Sequence, residues 1–118
     1  AMASLFRRQG KITEAINSLR RVRDERPNDP LVQKAIGDLH AQEGREREAV
    51  VHYRQALELD PNDGSTHFIL AKLLRQLRRD PEARQHFSEA ERLFEQAGDT
   101  ANLNEVRRIL SNYAAVPN

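Results

Sequence analysis

A repeat of 34 residues constrains this chain more than any other feature. Displaced by that spacing, Gly10 falls on Gly44, Glu14 on Glu48, Ala15 on Ala49 and Arg20 on Arg54, and Pro27-Asn28-Asp29 falls on Pro61-Asn62-Asp63. A second displacement carries Leu39 to Leu73, Gln42 to Gln76, Ala49 to Ala83, His52 to His86, Ala56 to Ala90 and Leu59 to Leu93. Self-similarity at one period marks stacked supersecondary units, each too small to bury its own apolar face alone. The 118 residues therefore form one array, with no room for a second substantial domain.

Each copy reads as two helices. Asp29 caps and Pro30 opens a helix over 31–43, where Val32, Ala35, Ile36 and Leu39 share one face and Gly44 supplies the stop. A second helix over 46–59 aligns Ala49, Val50, Tyr53, Ala56 and Leu57. The third copy predicts helices over 64–78 and 81–97, with Asp80 as cap and Pro81 as first helical residue. Small residues (Gly37, Ala71, Ala49, Ala56, Ala83, Ala90) let backbones approach, while Ile36, Leu39, Tyr53, Leu70, Leu73 and Phe87 fill the space beside them. A last amphipathic helix over 99–113 carries Leu103, Val106, Ile109, Leu110 and Tyr113 on one face. It reads either as a cap on the last pair or as the opening of a further, degenerate repeat. No stretch alternates with period two, so the fold class is all-α.

These residues resemble the tetratricopeptide repeat, a helix-turn-helix unit that stacks into a right-handed superhelix. The middle copy carries Ile36-Gly37, Gly44, Ala49, Tyr53, Ala56 and Pro61 in the family's order, and the third keeps Leu70-Ala71, Ala83, Phe87 and Ala90. Glu95 stands where the family's proline belongs, which predicts a longer second helix in the third copy. The first copy keeps Phe6, Gly10, Ala15, Leu19, Val22 and Pro27, whereas Gln33 and His67 replace an early aromatic of the first helix. The resemblance divides the chain into a truncated first repeat over 1–29, a second over 30–63, a third over 64–97 and a C-terminal helix and tail over 98–118. Ala1 falls inside the expected first helix, so the chain reads as an excised piece of a longer protein or as one with a stunted opening helix. Ala1-Met2 reads as a cloning remnant.

The resemblance implies a protein-interaction module that takes a peptide or helix in a concave groove lined by the first helices. Carried onto this chain, the groove comprises Lys34, Asp38, Ala41 and Gln42, then Phe68, Ile69, Lys72, Arg75 and Gln76, with Ser4 and Arg8 joining from the first copy. That mixture suits a partner segment with an acidic residue beside an apolar anchor, with Phe68 and Ile69 burying area and Lys34, Lys72 and Arg75 fixing polarity. Family members that grip a chaperone's C-terminal carboxylate use Asn side chains where this chain has Ser4 and Ala35, and Lys and Arg where it has Ser65 and Ile69, so that clamp is not supported.

Two rivals follow from the charge and the leading edge. Residues 1–27 hold seven cations and three acids, and Arg7, Arg8, Arg20, Arg21, Arg23 and Arg26 raise RNA binding as a remote alternative. The net charge of +1 and six aromatics argue against it. An uncovered Leu5 and Phe6 raise self-association through the N-terminal edge.

Catalysis and cofactors find no support. The chain has no Cys, no HExxH, no glycine-rich phosphate loop and no nucleophile elbow. His52 and His86 recur because the repeat recurs, and one imidazole per copy is no metal-ligand set. His40 and His67 read as packing histidines, and Glu46 and Glu48 as solvated. No apolar run approaches the ~20 residues of a membrane span, and the order of Leu5-Phe6 before Arg7-Arg8 reverses a secretory signal, favouring a cytoplasmic over an exported protein.

Overall fold

The computed structural model describes residues 2–115, with side chains over 8–113. Six helices follow one another: α1 (Met2–Glu25), α2 (Pro30–Gln42), α3 (Glu46–Leu59), α4 (Gly64–Gln76), α5 (Asp80–Ala97) and α6 (Thr100–Ala115). There is no strand among the described residues. The chain forms two units, residues 1–60 and 61–118.

In the first unit α1 packs on α2 and α2 on α3. The Asp29 carboxylate accepts from the Leu31 amide at 3.0 Å, and Gly44 ends the following turn at φ 74°. The expected contacts between α2 and α3 form: Ile36 and Ala49 are 0% exposed, Tyr53 1% and Ala56 3%. Gly37 makes the approach possible, because a Cβ there would stand 2.9 Å from Tyr53 Cε1. The Tyr53 hydroxyl donates to Asp38.

The first copy departs from expectation. Gly10 does not end a helix; α1 runs through it for 24 residues, and Gly10 lacks the positive φ of Gly44. The two or so turns before Gly10 are too short to stand as a separate helix, and a straight continuation keeps every i→i−4 hydrogen bond. Ser4, Leu5, Phe6 and Arg7 have side chains outside the described residues.

In the second unit α4 packs on α5 and α5 on α6. The Asp63 carboxylate caps α4, accepting from the Thr66 amide at 3.2 Å and the Thr66 hydroxyl at 2.7 Å. Leu70, Ala71, Ala83, Phe87 and Ala90 are fully buried, and Val106 and Ile109 of α6 join the core. With Glu95 in place of proline, α5 extends to 18 residues against 14 in α3, and Gly98 closes it at φ 71°.

Two local expectations are corrected. Arg79, not Asp80, holds the N-cap position of α5; Asp80 is the first helical residue, and its carboxylate accepts from the Tyr113 hydroxyl at 3.1 Å. Pro61 is exposed rather than packed; its carbonyl accepts from His67 Nε2 at 2.9 Å.

Candidate functional site

The site residues of the two units are taken separately. On α2, Lys34 and Ala41 are half-buried and Asp38 and Gln42 exposed, at spacings that share one helix face. Asp38 holds the Tyr53 hydroxyl, so this acid works as a packing device first. Burial and the bond to Asp38 together push the Tyr53 phenol well above its ordinary range.

On α4, Lys72, Arg75 and Gln76 are exposed and Ile69 is half-buried. Phe68 is not the exposed anchor that the sequence suggests. It is 6% exposed, edge-on to Phe87 at 6.0 Å and to Phe94 at 5.8 Å. Phe94 lies in the turn that α5 gains by lacking the proline, and Gly64 admits it: a Cβ there would stand 3.1 Å from Phe94 Cε1.

The buried rings carry cations. Lys72 Nζ sits 4.1 Å from the Phe68 centroid, and the Arg75 guanidinium 5.7 Å from that of Phe87. Each such contact contributes ~0.5–1 kcal/mol at an exposed site. Arg84 lies 5.5 Å over Tyr113, whose ring stands 6.0 Å from Phe87. Burial, then the bond to Asp80, raises the Tyr113 phenol. Neither Lys72 nor Arg75 has a carboxylate partner among the described residues. Two cations steadied by rings, with Ile69 beside them, can accept a carboxylate and an apolar group together. The resemblance placed Lys72 and Arg75 on this face; the meeting of Arg84, Tyr113 and Asp80 depends on the packing of α6, which no local pattern announces.

The histidines form interhelical contacts. His52 Nδ1 lies 2.9 Å from Gln33 Oε1, and in the equivalent place His67 Nδ1 lies 3.0 Å from His86 Nδ1. Gln33 and His67 are buried, so these pairs occupy the place of the missing aromatics. His40, 4% exposed, stacks on His52 at 5.3 Å, and its Nδ1 has no hydrogen-bond partner among the described residues. Burial holds both His40 and His52 below the ordinary imidazole range, helped at His40 by Arg45 and Arg20 against Glu48, and at His52 by the His40 ring, Arg23 and Arg20. Among the described residues no group of three or more His, Asp and Glu could hold a metal, and no helix is long and apolar enough to cross a membrane.

A family model described as Tetratricopeptide repeat matches residues 1–64 and again residues 35–98. Among solved structures, one of MamA MSR-1 is 31% identical at a TM-score of 0.67, covering 74% of this chain and 50% of that chain. The chain thus spans about half the length of the MamA structures that it matches. The Yersinia enterocolitica type III secretion translocator chaperone SycD shares the fold at TM-score 0.75 and 18% identity, over 94% of this chain and 84% of that one. The TPR2B domain of yeast Sti1, solved in complex with pHsp70, does so at 0.74 and 14%, over 89% and 84%. No curated protein matches the chain.

Proposed function

The chain belongs to the tetratricopeptide repeat family, and from that premise we propose that it is a non-catalytic protein-interaction module that takes a partner segment on the exposed faces of its first helices. The family is an interaction fold, and the Sti1 domain of this fold was solved with a protein partner. The partner segment carries an acidic side chain next to an apolar one. The observation that supports this reading is the α4 face: Lys72 and Arg75 held over Phe68 and Phe87, without a carboxylate partner among the described residues, beside half-buried Ile69. Lys34, Asp38, Ala41 and Gln42 form the corresponding face of α2.

The test is selection of a displayed random peptide library on the full chain. Wild type should enrich peptides with Asp or Glu beside Leu, Ile, Val or Phe. The Lys72→Glu/Arg75→Glu variant, whose altered side chains are exposed, should bind those peptides at least tenfold more weakly, because like charges then face each other. Equal binding by both proteins, with unchanged circular dichroism, would remove α4 as the partner face.

A further inference from the structure

In the second unit three rings follow one another, Phe68, Phe87 and Tyr113, each centroid 6.0 Å from the next. Each ring carries one cation: Lys72 on Phe68, Arg75 on Phe87 and Arg84 on Tyr113. All three cations are exposed, and none has a carboxylate partner among the described residues. Lys72 and Arg75 belong to α4, whereas Arg84 and Tyr113 carry the run onto α5 and α6. The charges of Arg75 and Arg84 both reach the Tyr113 phenol, where they oppose the upward push of burial and of Asp80.

Arg84 stays uncompensated although an acid stands at the right distance along its own helix. Asp80 precedes it by four residues on α5, the spacing and order that favour an ion pair on a helix surface. Three i,i+3 pairs of this unit do form, Arg79 with Glu82, Arg92 with Glu89 and Arg108 with Glu105, each at 2.8 Å. The Asp80 carboxylate instead accepts from the Tyr113 hydroxyl at 3.1 Å, and the Arg84 guanidinium lies 5.5 Å from the centroid of that ring. One tyrosine thus occupies the acid with its hydroxyl and supports the cation with its ring. An exposed ion pair contributes little to stability, so holding Asp80 and Arg84 apart costs the fold little.

We propose that Arg84, held clear of Asp80 by Tyr113, takes a second acidic side chain of the partner, so that the bound segment carries one acid for Lys72 and Arg75 on α4 and another for Arg84 beside α6. The last helix then belongs to the recognition surface as well as covering the core. Charge complementarity supports this occupant: three cations stand on rings, while both acids in the first turn of α5 are engaged, Asp80 by Tyr113 and Glu82 by Arg79. Arg84 meets the partner, and Tyr113 is a positioning residue. Such a contact presupposes the acidic partner proposed for α4 and adds to it a second acid and two further helices.

Peptides selected on the wild-type chain should carry two acidic positions. With those peptides labelled and read by fluorescence anisotropy, Arg84→Glu should bind about fivefold more weakly, whereas Arg92→Glu, the same reversal elsewhere on α5, should bind as wild type. Replacing each acid of the peptide by its amide in turn matches it to its cation: one amide should cancel the effect of Arg84→Gln, the other that of Lys72→Gln. Tyr113→Phe keeps the ring but releases Asp80 to pair with Arg84, so affinity should fall about twofold, and Asp80→Asn in the same chain should restore it. A ring that only fills the core gives no such rescue. Peptides with a single acidic position, or native affinity in Arg84→Glu beside a loss in Lys72→Glu/Arg75→Glu, would overturn the second contact and leave α4 as the partner face. Equal binding by wild type and Lys72→Glu/Arg75→Glu would overturn the α4 face, and the second contact with it.

Discussion

Replacing Gly37 by Ala sets two opposing effects on one backbone position. Glycine inside a helix costs about 0.8–1.0 kcal/mol relative to alanine, so propensity alone favours the change. Against it stands the edge of the Tyr53 ring: the new Cβ would lie 2.9 Å from Cε1, 3.0 Å from Cδ1 and 3.1 Å from Cζ. The ring cannot swing clear. It is 1% exposed, its backbone end is fixed in α3, and its hydroxyl is tied to Asp38. Either α2 and α3 separate by several tenths of an ångström or the hydroxyl leaves Asp38. Overpacking of this kind costs about 1–3 kcal/mol, and a lost hydrogen bond about 0.5–1.5 kcal/mol. Set against the helix gain, a net loss of about 1 kcal/mol remains.

The third copy supplies the control, because Ala71 and Phe87 hold the positions equivalent to Gly37 and Tyr53 and both are fully buried. A ring without a hydroxyl is free to settle against a methyl group. Tyr53→Phe should therefore absorb part of the damage, leaving Gly37→Ala/Tyr53→Phe more stable than the sum of the single changes by roughly 0.5–1 kcal/mol. Urea and thermal unfolding followed by circular dichroism measure this, with 1 kcal/mol near 4–8 °C for a domain of 60–100 residues. A Gly37→Ala midpoint at or above wild type would refute the steric reasoning, and strict additivity would refute the role given to the hydroxyl.

Three further outcomes are expected. Arg78 has φ 62° where the other copies have Gly10 and Gly44. Arg78→Gly should raise the urea midpoint by the equivalent of about 0.5 kcal/mol, relief of left-handed strain exceeding glycine's entropic cost, and a lowered midpoint would show the strain to be absent. His40 and His52 are both held low, first by burial and then by neighbouring positive charge (Arg45 and Arg20 at His40, with Glu48 opposing; His40, Arg23 and Arg20 at His52), so protons favour the unfolded chain. Stability is then complete above the ordinary imidazole value of about 6.5 and falls as the pH drops below it. His40→Leu, which copies the fully buried Leu74, should add about 1 kcal/mol at neutral pH by removing the unpartnered Nδ1, and should flatten the loss between pH 7 and 5; equal slopes for both proteins would count against it. Phe68→Ala should cost about 3–5 kcal/mol, because it empties the space between Phe87 and Phe94. A native unfolding midpoint in that variant would return Phe68 to the surface.

Helix positions were legible wherever the chain carries its own punctuation. Asp29-Pro30 and Gly44 bracket α2, and α3 spans the expected 46–59. Gly10 misled because glycine permits a turn without compelling one; the turn at Gly44 forms because α2 gains a packed partner in α3, and the short segment before Gly10 has no such return. Asp80 misled for a different reason. Its spacing before Pro81 suits a cap, but it is the first residue of α5, and the Tyr113 hydroxyl that its carboxylate takes comes from 33 residues away, where no local pattern announces it. Phe68 shows how one repeat position can change its surroundings. Its burial depends on Phe94, which exists within a helix only because Glu95 replaced a helix-ending proline. The longer α5 was readable from that one residue; the ring that it would bring onto Phe68 was not.

The difference between Tyr53 and Phe87 reaches the surface. A phenol at the centre of a helix pair needs an acceptor, and in the second copy Asp38 supplies it one residue after Gly37. A phenyl ring needs none, so the equivalent position in the third copy is released from the core and holds Lys72. Lys72 turns instead to the neighbouring Phe68, whose ring tolerates a cation where it would repel a carboxylate. The first-helix face thus changes sign between copies, acidic at Asp38 and basic at Lys72, and each sign follows from which ring lies beneath. Tyr53→Phe should therefore free Asp38 from its packing duty, after which Asp38→Lys becomes nearly neutral for stability, while Asp38→Lys alone leaves the buried hydroxyl without its acceptor and costs about 1–3 kcal/mol. Unfolding measurements on the two single variants and their combination decide it: equal penalties for Asp38→Lys with and without the Tyr53 hydroxyl would separate the charge of this face from the core beneath it.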